Sequence, residues 1–134
     1  MILLDTSFLI ALKNIKDTHF TKAQELQQEL LAKKYGPMFL SDYIFDEFVT
    51  FLRMRLKNQE QALLFGDLLL QDKDISLIGV SKSDFQEAWG LFKLHQHLSF
   101  TDATSLILLK KYGFRYICSF DSDFDRFPSI KRIM

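Results

Sequence analysis

The stretch Ile2–Leu12, ILLDTSFLIAL, decides the fold because its hydrophobic pattern changes at a single acidic residue. The apolar run Ile2–Leu4 predicts a short buried strand that ends at Asp5. The residues that follow, Thr6–Lys13, predict a short helix. When helices separate strands in this way, the strands pair in parallel through right-handed crossovers.

The same alternation continues outward along the rest of the chain. Apart from the first strand and helix, it predicts strands over 38–40, 75–80, 115–119 and 130–133, and helices over 19–34, 42–56, 58–71, a segment around Trp89, and 103–112. Two capping-box patterns, Ser81 with Asp84 and Ser99 with Asp102, indicate the starts of the last two helices, and Gly113 indicates an end. We therefore expect one domain over residues 1–134 with a three-layer α/β/α fold. Its small, mostly parallel sheet should have four to five strands flanked by helices.

Composition limits the classes of function. Hydrophobic residues make up 48% of the 134 residues, which is enough for one core, and 17 basic residues balance 17 acidic ones. A net charge of +0 argues against nucleic-acid binding by charge alone. The single cysteine, Cys118, excludes a disulfide framework. With no signal-peptide pattern before Asp5 and no membrane-length apolar run, we expect a cytoplasmic protein that does not bind a membrane.

Two acidic residues follow predicted strands. Asp5 ends the first strand and Asp121 lies just past the fourth. Open parallel sheets place their functional sites at the carboxyl ends of the strands, so both residues should lie at that edge. Considered singly, each is better explained by the preference of Asp for turns and helix caps.

Two more acidic residues interrupt helical patterns. Glu47 shares a face with Ile44, Phe48 and Phe51, so it breaks an apolar stripe in which glutamate is seldom buried without a partner. Asp102 fits a helix cap and a functional site about equally well. Four acids that converge on one edge would repel one another unless a cation offset their charge. Oxygen ligands alone favour Mg²⁺ or Mn²⁺.

The chain resembles the PIN domain family, in particular the small members found as VapC toxins of toxin–antitoxin pairs. Four segments carry the resemblance in order: ILLDTSFLIAL at 2–12, LSDYIFDEFVTFLR at 40–53, LSFTDATSLILL at 98–109 and YICSFDSDF at 116–124. The resemblance implies catalytic and metal-binding roles for Asp5, Glu47, Asp102 and Asp121. It implies supporting roles for Ser7, Thr101 and Asp123, and it leaves Asp123 and Asp125 open as alternatives for the fourth acid.

The resemblance also implies a function. It implies cleavage of single-stranded RNA by metal-activated water with Mg²⁺ or Mn²⁺, a small antitoxin as partner, and a homodimer. The aromatic residues Phe45, Phe48, Phe51 and Phe65 give the dimer a possible face between residues 43 and 70. Two alternatives stay open: an RNA-processing nuclease without an antitoxin, and a non-catalytic module that only binds RNA or a partner.

Overall fold

Five short strands form an all-parallel sheet at the centre of the protein. The computed structural model describes all 134 residues. The strands are β1 (Ile2–Leu4), β2 (Met38–Ser41), β3 (Ile75–Ile78), β4 (Tyr116–Cys118) and β5 (Lys131–Ile133). Their spatial order is β3-β2-β1-β4-β5, so β1 is the central strand. Because all five strands are parallel, their carboxyl ends lie along one side of the sheet, with the end of β1 in the middle. The expected fold class is confirmed.

Six helices flank the sheet. They are α1 (Thr6–Lys13), α2 (Phe20–Leu31), α3 (Asp42–Thr50), α4 (Gln59–Gln71), α5 (Lys82–Leu94) and α6 (Phe100–Tyr112). Both predicted capping boxes are present, at the starts of α5 and α6. Gly113 ends α6 with φ 66°, a left-handed conformation that glycine adopts without strain. None of the helices combines the length and the apolar character needed to cross a membrane.

The hydrophobic core lies where the central strands meet α1 and α3. The residues Ile2, Leu3 and Leu4 are almost completely buried, as expected for a strand covered on both faces. On α3 and its extension, Ile44, Phe48 and Leu52 form the buried stripe. The core thus fixes β1 and α3 relative to each other, and each of these elements carries or precedes one of the candidate acids.

The largest difference from the predicted elements lies in the helix expected over 42–56. Regular α-helix stops at Thr50, and Phe51–Arg55 forms a π-helical segment. At its end, the N–H of the next residue, Leu56, donates to the carbonyl of Phe51, five residues earlier. Hydrophobic periodicity reports which residues face the core, but it does not distinguish these two hydrogen-bond patterns.

Smaller differences concern the ends of elements. The helix predicted to reach residue 34 ends at Leu31, and Lys33 takes a left-handed φ of 57° in the turn that follows. The third strand ends at Ile78 rather than at residue 80, where the Val80 N–H donates instead to the Asp42 carboxylate, 3.2 Å away. Side-chain hydrogen bonds of this kind end a strand in a way that local sequence pattern does not reveal.

Candidate active site

Asp5 lies at the centre of the carboxyl edge of the sheet, directly after β1, and is only 4% exposed. Its Oδ2 accepts hydrogen bonds from Ser7 Oγ at 2.6 Å and from Ser119 Oγ at 2.7 Å. Burial raises the pKa of the Asp5 carboxyl, and the hydrogen bonds from Ser7 and Ser119 only partly oppose this. The fold therefore holds an oriented carboxyl group at a position where ionisation is unfavourable.

Glu47 approaches Asp5 from α3. It is half-buried at the margin of the apolar stripe, and its Oε2 accepts a hydrogen bond of 2.6 Å from Thr6 Oγ1. Burial raises the pKa of Glu47, the hydrogen bond from Thr6 lowers it, and the charge of Asp5 raises it further. Thr6, which orients Glu47, is the residue directly after Asp5. The position of Glu47 is therefore tied to the segment that carries Asp5.

Asp102 takes part in a helix cap and is also one of the four candidate acids, Asp5, Glu47, Asp102 and Asp121, which we call the acidic edge. Its Oδ2 accepts from the Ser99 N–H at 2.9 Å, and its own N–H donates to Ser99 Oγ at 3.0 Å. Burial, together with the charges of Asp5 and Asp121, raises the pKa of Asp102 to about 6, although the hydrogen bonds from Ser99 lower it. The capping role that we weighed against a site role is present, and the two roles are compatible.

Asp121 follows β4 and begins the short 3₁₀ turn Ser122–Arg126. Its N–H donates to Ser119 Oγ at 3.0 Å, and its Oδ1 accepts from the N–H of Asp123 at 2.8 Å. Ser119 Oγ therefore contacts both Asp5 and Asp121. The charge of the Asp121 carboxylate also raises the pKa of Asp102.

The two alternative acids of this segment have other partners. Asp125 forms a two-point ion pair with Arg132, with N–O distances of 2.6 and 2.8 Å, and this pairing lowers the pKa of Asp125. Asp123 lies 3.4 Å from the Nε of Arg126. Among the three candidates, the geometry favours Asp121 as the fourth acid.

The acidic edge has the oxygen donors that a hard cation prefers, but these donors do not surround a single ion position. The charge of Asp5 raises the pKa of both Glu47 and Asp102, so the three carboxyls interact electrostatically. No three acidic, histidine or cysteine side chains lie close enough to hold one ion together. Repulsion between like charges favours such spacing. The oxygen donors fit Mg²⁺ or Mn²⁺ by type.

Sequence reasoning missed two residues of this network. Ser119 and Thr6 each orient one of the acids. The only local signal is their position, since Thr6 starts α1 directly after Asp5 and Ser119 follows β4 two residues before Asp121. Ser7 was expected to orient the site, and its hydroxyl does contact Asp5. Thr101 was also expected to support the site; its carbonyl accepts a hydrogen bond from the Thr104 hydroxyl, and its supporting role stays a prediction.

Comparisons with known proteins identify the family and the fold. The family model described as PIN domain matches residues 2–130. The crystal structure of VapC20 from Mycobacterium tuberculosis, described as a sarcin–ricin loop cleaving toxin, superposes with a TM-score of 0.81 at 26% identity and covers 94% of both chains. A comparison with curated protein sequences gave no match.

Two further structures share the fold at lower identity. A toxin–antitoxin complex from Klebsiella pneumoniae matches with a TM-score of 0.66 and 18% identity, covering 98% of this chain and 96% of that chain. VapBC2 from Rickettsia felis, bound to a DNA fragment from its promoter, matches with a TM-score of 0.67 and 16% identity, covering 99% and 98%. The family match extends over nearly the whole sequence. The chain therefore belongs to the PIN domain family, and its fold is that of VapC-like members.

Proposed function

We propose that the protein is a metal-dependent endoribonuclease that cleaves single-stranded RNA. The observation that carries this proposal is the buried carboxyl of Asp5, which is fixed by two serine hydroxyls and raises the pKa of Glu47 and Asp102. A purely structural role does not explain why a fold would keep these repelling groups together. The non-catalytic alternative would tolerate neutral residues at these positions.

In this proposal the four acids bind metal and the neighbouring hydroxyl groups orient them. Asp5, Glu47, Asp102 and Asp121 would line the place where Mg²⁺ or Mn²⁺ binds, with one or two of these carboxylates contacting an ion and water completing its shell. When bound, such an ion makes water a stronger nucleophile and offsets charge on the phosphodiester. Ser7 and Ser119 keep the Asp5 carboxyl in one orientation, and Thr6 does the same for Glu47. These hydroxyls limit the rearrangement that ligand binding requires.

The substitution Asp5→Asn tests the proposal, because the amide keeps the shape of the side chain and removes its charge. We expect wild-type protein to cleave single-stranded RNA in Mg²⁺ or Mn²⁺ and not in excess chelator. The Asp5→Asn variant should lose at least about 100-fold in rate. The assay follows labelled RNA on denaturing gels, with a random single-stranded pool and a sarcin–ricin loop oligonucleotide as separate substrates.

Two controls make that result interpretable. Asp125→Asn changes a carboxylate that is paired with Arg132, so it should keep most of the activity. Thermal melting should show that Asp5→Asn is folded. Full activity of Asp5→Asn, or full activity in chelator, contradicts the mechanism.

We further propose that the protein is the toxin of a type II toxin–antitoxin pair, with a small antitoxin that covers the acidic edge. The matching structure from Klebsiella pneumoniae is a toxin–antitoxin complex, and that from Rickettsia felis is VapBC2 on promoter DNA. An arginine or lysine of the antitoxin would pair with these carboxylates. Affinity purification from the native host should recover a small protein that inhibits cleavage. Recovery of active nuclease without such a partner supports RNA processing instead.

A further inference from the structure

A stacked aromatic pair, His19 and Phe120, lies beside the acidic edge. The ring centroids are 4.3 Å apart and the planes differ by 5°. No other aromatic pair in the protein is as close or as nearly parallel. His19 lies just before α2, whereas Phe120 follows β4, so the fold brings together two segments far apart in sequence.

Hydrogen bonds connect this pair to the site. The Phe120 N–H donates to Ser7 Oγ at 3.0 Å, and Ser7 Oγ donates to Asp5 Oδ2 at 2.6 Å. Asp121 is the next residue in the chain. An RNA whose phosphate lies at the carboxylates would therefore bring a neighbouring base close to the stacked pair.

His19 is the more exposed of the two rings, so it is the one that a ligand can reach. Phe120 is half-buried, whereas His19 is exposed. Phe120 covers one face of the imidazole, and no second aromatic ring packs against the other face. An exposed ring held flat by a ring beneath it is ready to extend the stack by one more planar group. Unpaired RNA bases commonly bind to aromatic and histidine side chains in this way.

Charge provides an independent reason to expect stacking. The protein has as many acidic as basic residues, and its site is acidic. Phosphate contacts with Lys and Arg usually supply most of the affinity for nucleic acid, but this chain has no excess of them. Contacts with bases would supply affinity that does not depend on net charge.

We propose that His19 and Phe120 form a platform on which the base of a nucleotide next to the cleaved phosphate stacks against the exposed face of His19. The inference rests on the proposed ribonuclease function and identifies the ligand as an unpaired base of single-stranded RNA. The simpler role of His19 is structural: its ring packs on Phe120 and its backbone N–H donates to Asp17 Oδ1, which would only fix the turn before α2.

The experiment measures RNA binding without cleavage. Fluorescence anisotropy with Ca²⁺ in place of Mg²⁺ or Mn²⁺, so that a hard cation still offsets the acidic edge, follows a labelled single-stranded adenosine oligonucleotide and an abasic oligomer of the same length, and a gel checks that both stay intact. His19→Ala should bind the adenosine oligonucleotide at least about fivefold more weakly than wild type. His19→Phe should bind like wild type because it restores a flat ring. The matched control is Tyr112→Ala, which removes an exposed aromatic ring that is stacked on Phe114. Tyr112 lies at the carboxyl end of α6, whereas Asp102 lies at its amino end.

The abasic oligomer separates the platform from a packing role. If His19 stacks on a base, wild type and His19→Ala should bind abasic RNA equally. If His19 only supports the fold, the difference should persist with abasic RNA, and this overturns the proposal. Rescue by His19→Lys but not by His19→Phe shows a charge contact instead, and it also overturns the proposal.

Cleavage assays separate this inference from the function on which it rests. If wild type cleaves RNA in a metal-dependent reaction while His19→Ala binds RNA as tightly as wild type, the platform alone is wrong. If wild type neither binds nor cleaves RNA, the ribonuclease function is wrong, and the platform is overturned with it.

Discussion

At the scale of single residues, Asp102 combines a structural and a functional position in one side chain. Its pKa of about 6 lies well above the ordinary value of 3.8, mainly because the carboxyl is buried. The folded protein therefore binds more protons at this position than the unfolded chain does between these two values. The contribution of Asp102 to stability is favourable at low pH, falls as pH rises through this window, and is lost at neutral pH.

The substitution Asp102→Asn should therefore stabilise the metal-free protein at neutral pH by on the order of 2 kcal/mol. For a domain of this size, that is a rise of roughly 5–10 °C in melting temperature. At about pH 4 the two proteins should differ much less, because Asp102 is then largely protonated in the folded wild type. Melting scans in chelator at both pH values measure the difference.

Metal should reverse this ranking. An ion that binds only the folded state adds about 2.7 kcal/mol at a hundred times its dissociation constant. Wild type should therefore melt roughly 10 °C higher with saturating Mn²⁺, and Asp102→Asn should gain far less. An equal gain in both proteins would show that Asp102 is not a ligand. Lower stability of the variant in chelator would show that its capping role dominates.

At the scale of elements, the two capping boxes provide a matched pair. Ser99 caps the helix that carries Asp102, and Ser81 caps α5 with Asp84 in the same arrangement. Asp84 is paired with Lys111 at 2.8 Å, which helps to lower its pKa, and it is not part of the acidic edge. The same local structure thus occurs once at the candidate site and once elsewhere.

Both Ser81→Ala and Ser99→Ala should lose about 1 kcal/mol of stability, because each removes one capping hydrogen bond. The substitution Ser99→Ala should in addition weaken Mn²⁺ binding, since Asp102 is then less firmly oriented. Calorimetric titration of both variants with Mn²⁺ checks this. Equal Mn²⁺ affinities would mean that the capping box does not position Asp102 for metal.

At the scale of the whole molecule, the apolar surface differs from the aromatic face expected for a dimer. Phe48 is in the core, and Phe45 and Phe65 are half-buried. The exposed apolar side chains near α4 belong mainly to other residues, namely Met54, Leu63, Leu64, Leu68 and Leu70. A surface of this kind is typical of protein–protein contacts, so a dimer through α4 stays our prediction.

The double substitution Leu63→Lys with Leu70→Lys should give a monomer, because Lys at an apolar contact would bury unpaired charge. These two leucines line a common groove with Met54. The control is Leu94→Lys, which changes a leucine that is 75% exposed at the end of α5. Sedimentation velocity at micromolar concentration measures the state. A monomeric wild type contradicts the prediction, and so does a double variant that remains dimeric.

The sequence by itself determined the order of the elements and the residues at their ends. The strand of Ile2–Leu4, the start of α1 after Asp5 and the capping boxes of Ser81 and Ser99 depend on residues within a few positions of one another. Hydrophobic period and capping chemistry are local, so they can be read from sequence. The placement of Asp5 and Asp121 at one edge followed because parallel strands end on the same side of a sheet.

Only the tertiary structure decided how the acids are held. Ser119 bonds to Asp5, Thr6 to Glu47 and Arg132 to Asp125, and these partners were not predicted. The stacking of His19 on Phe120 was not predicted either. Burial and long-range contacts depend on how elements pack, and a single sequence carries no direct signal of that packing. The raised pKa values are set by the same burial and by neighbouring charges, so they too belong to the folded molecule.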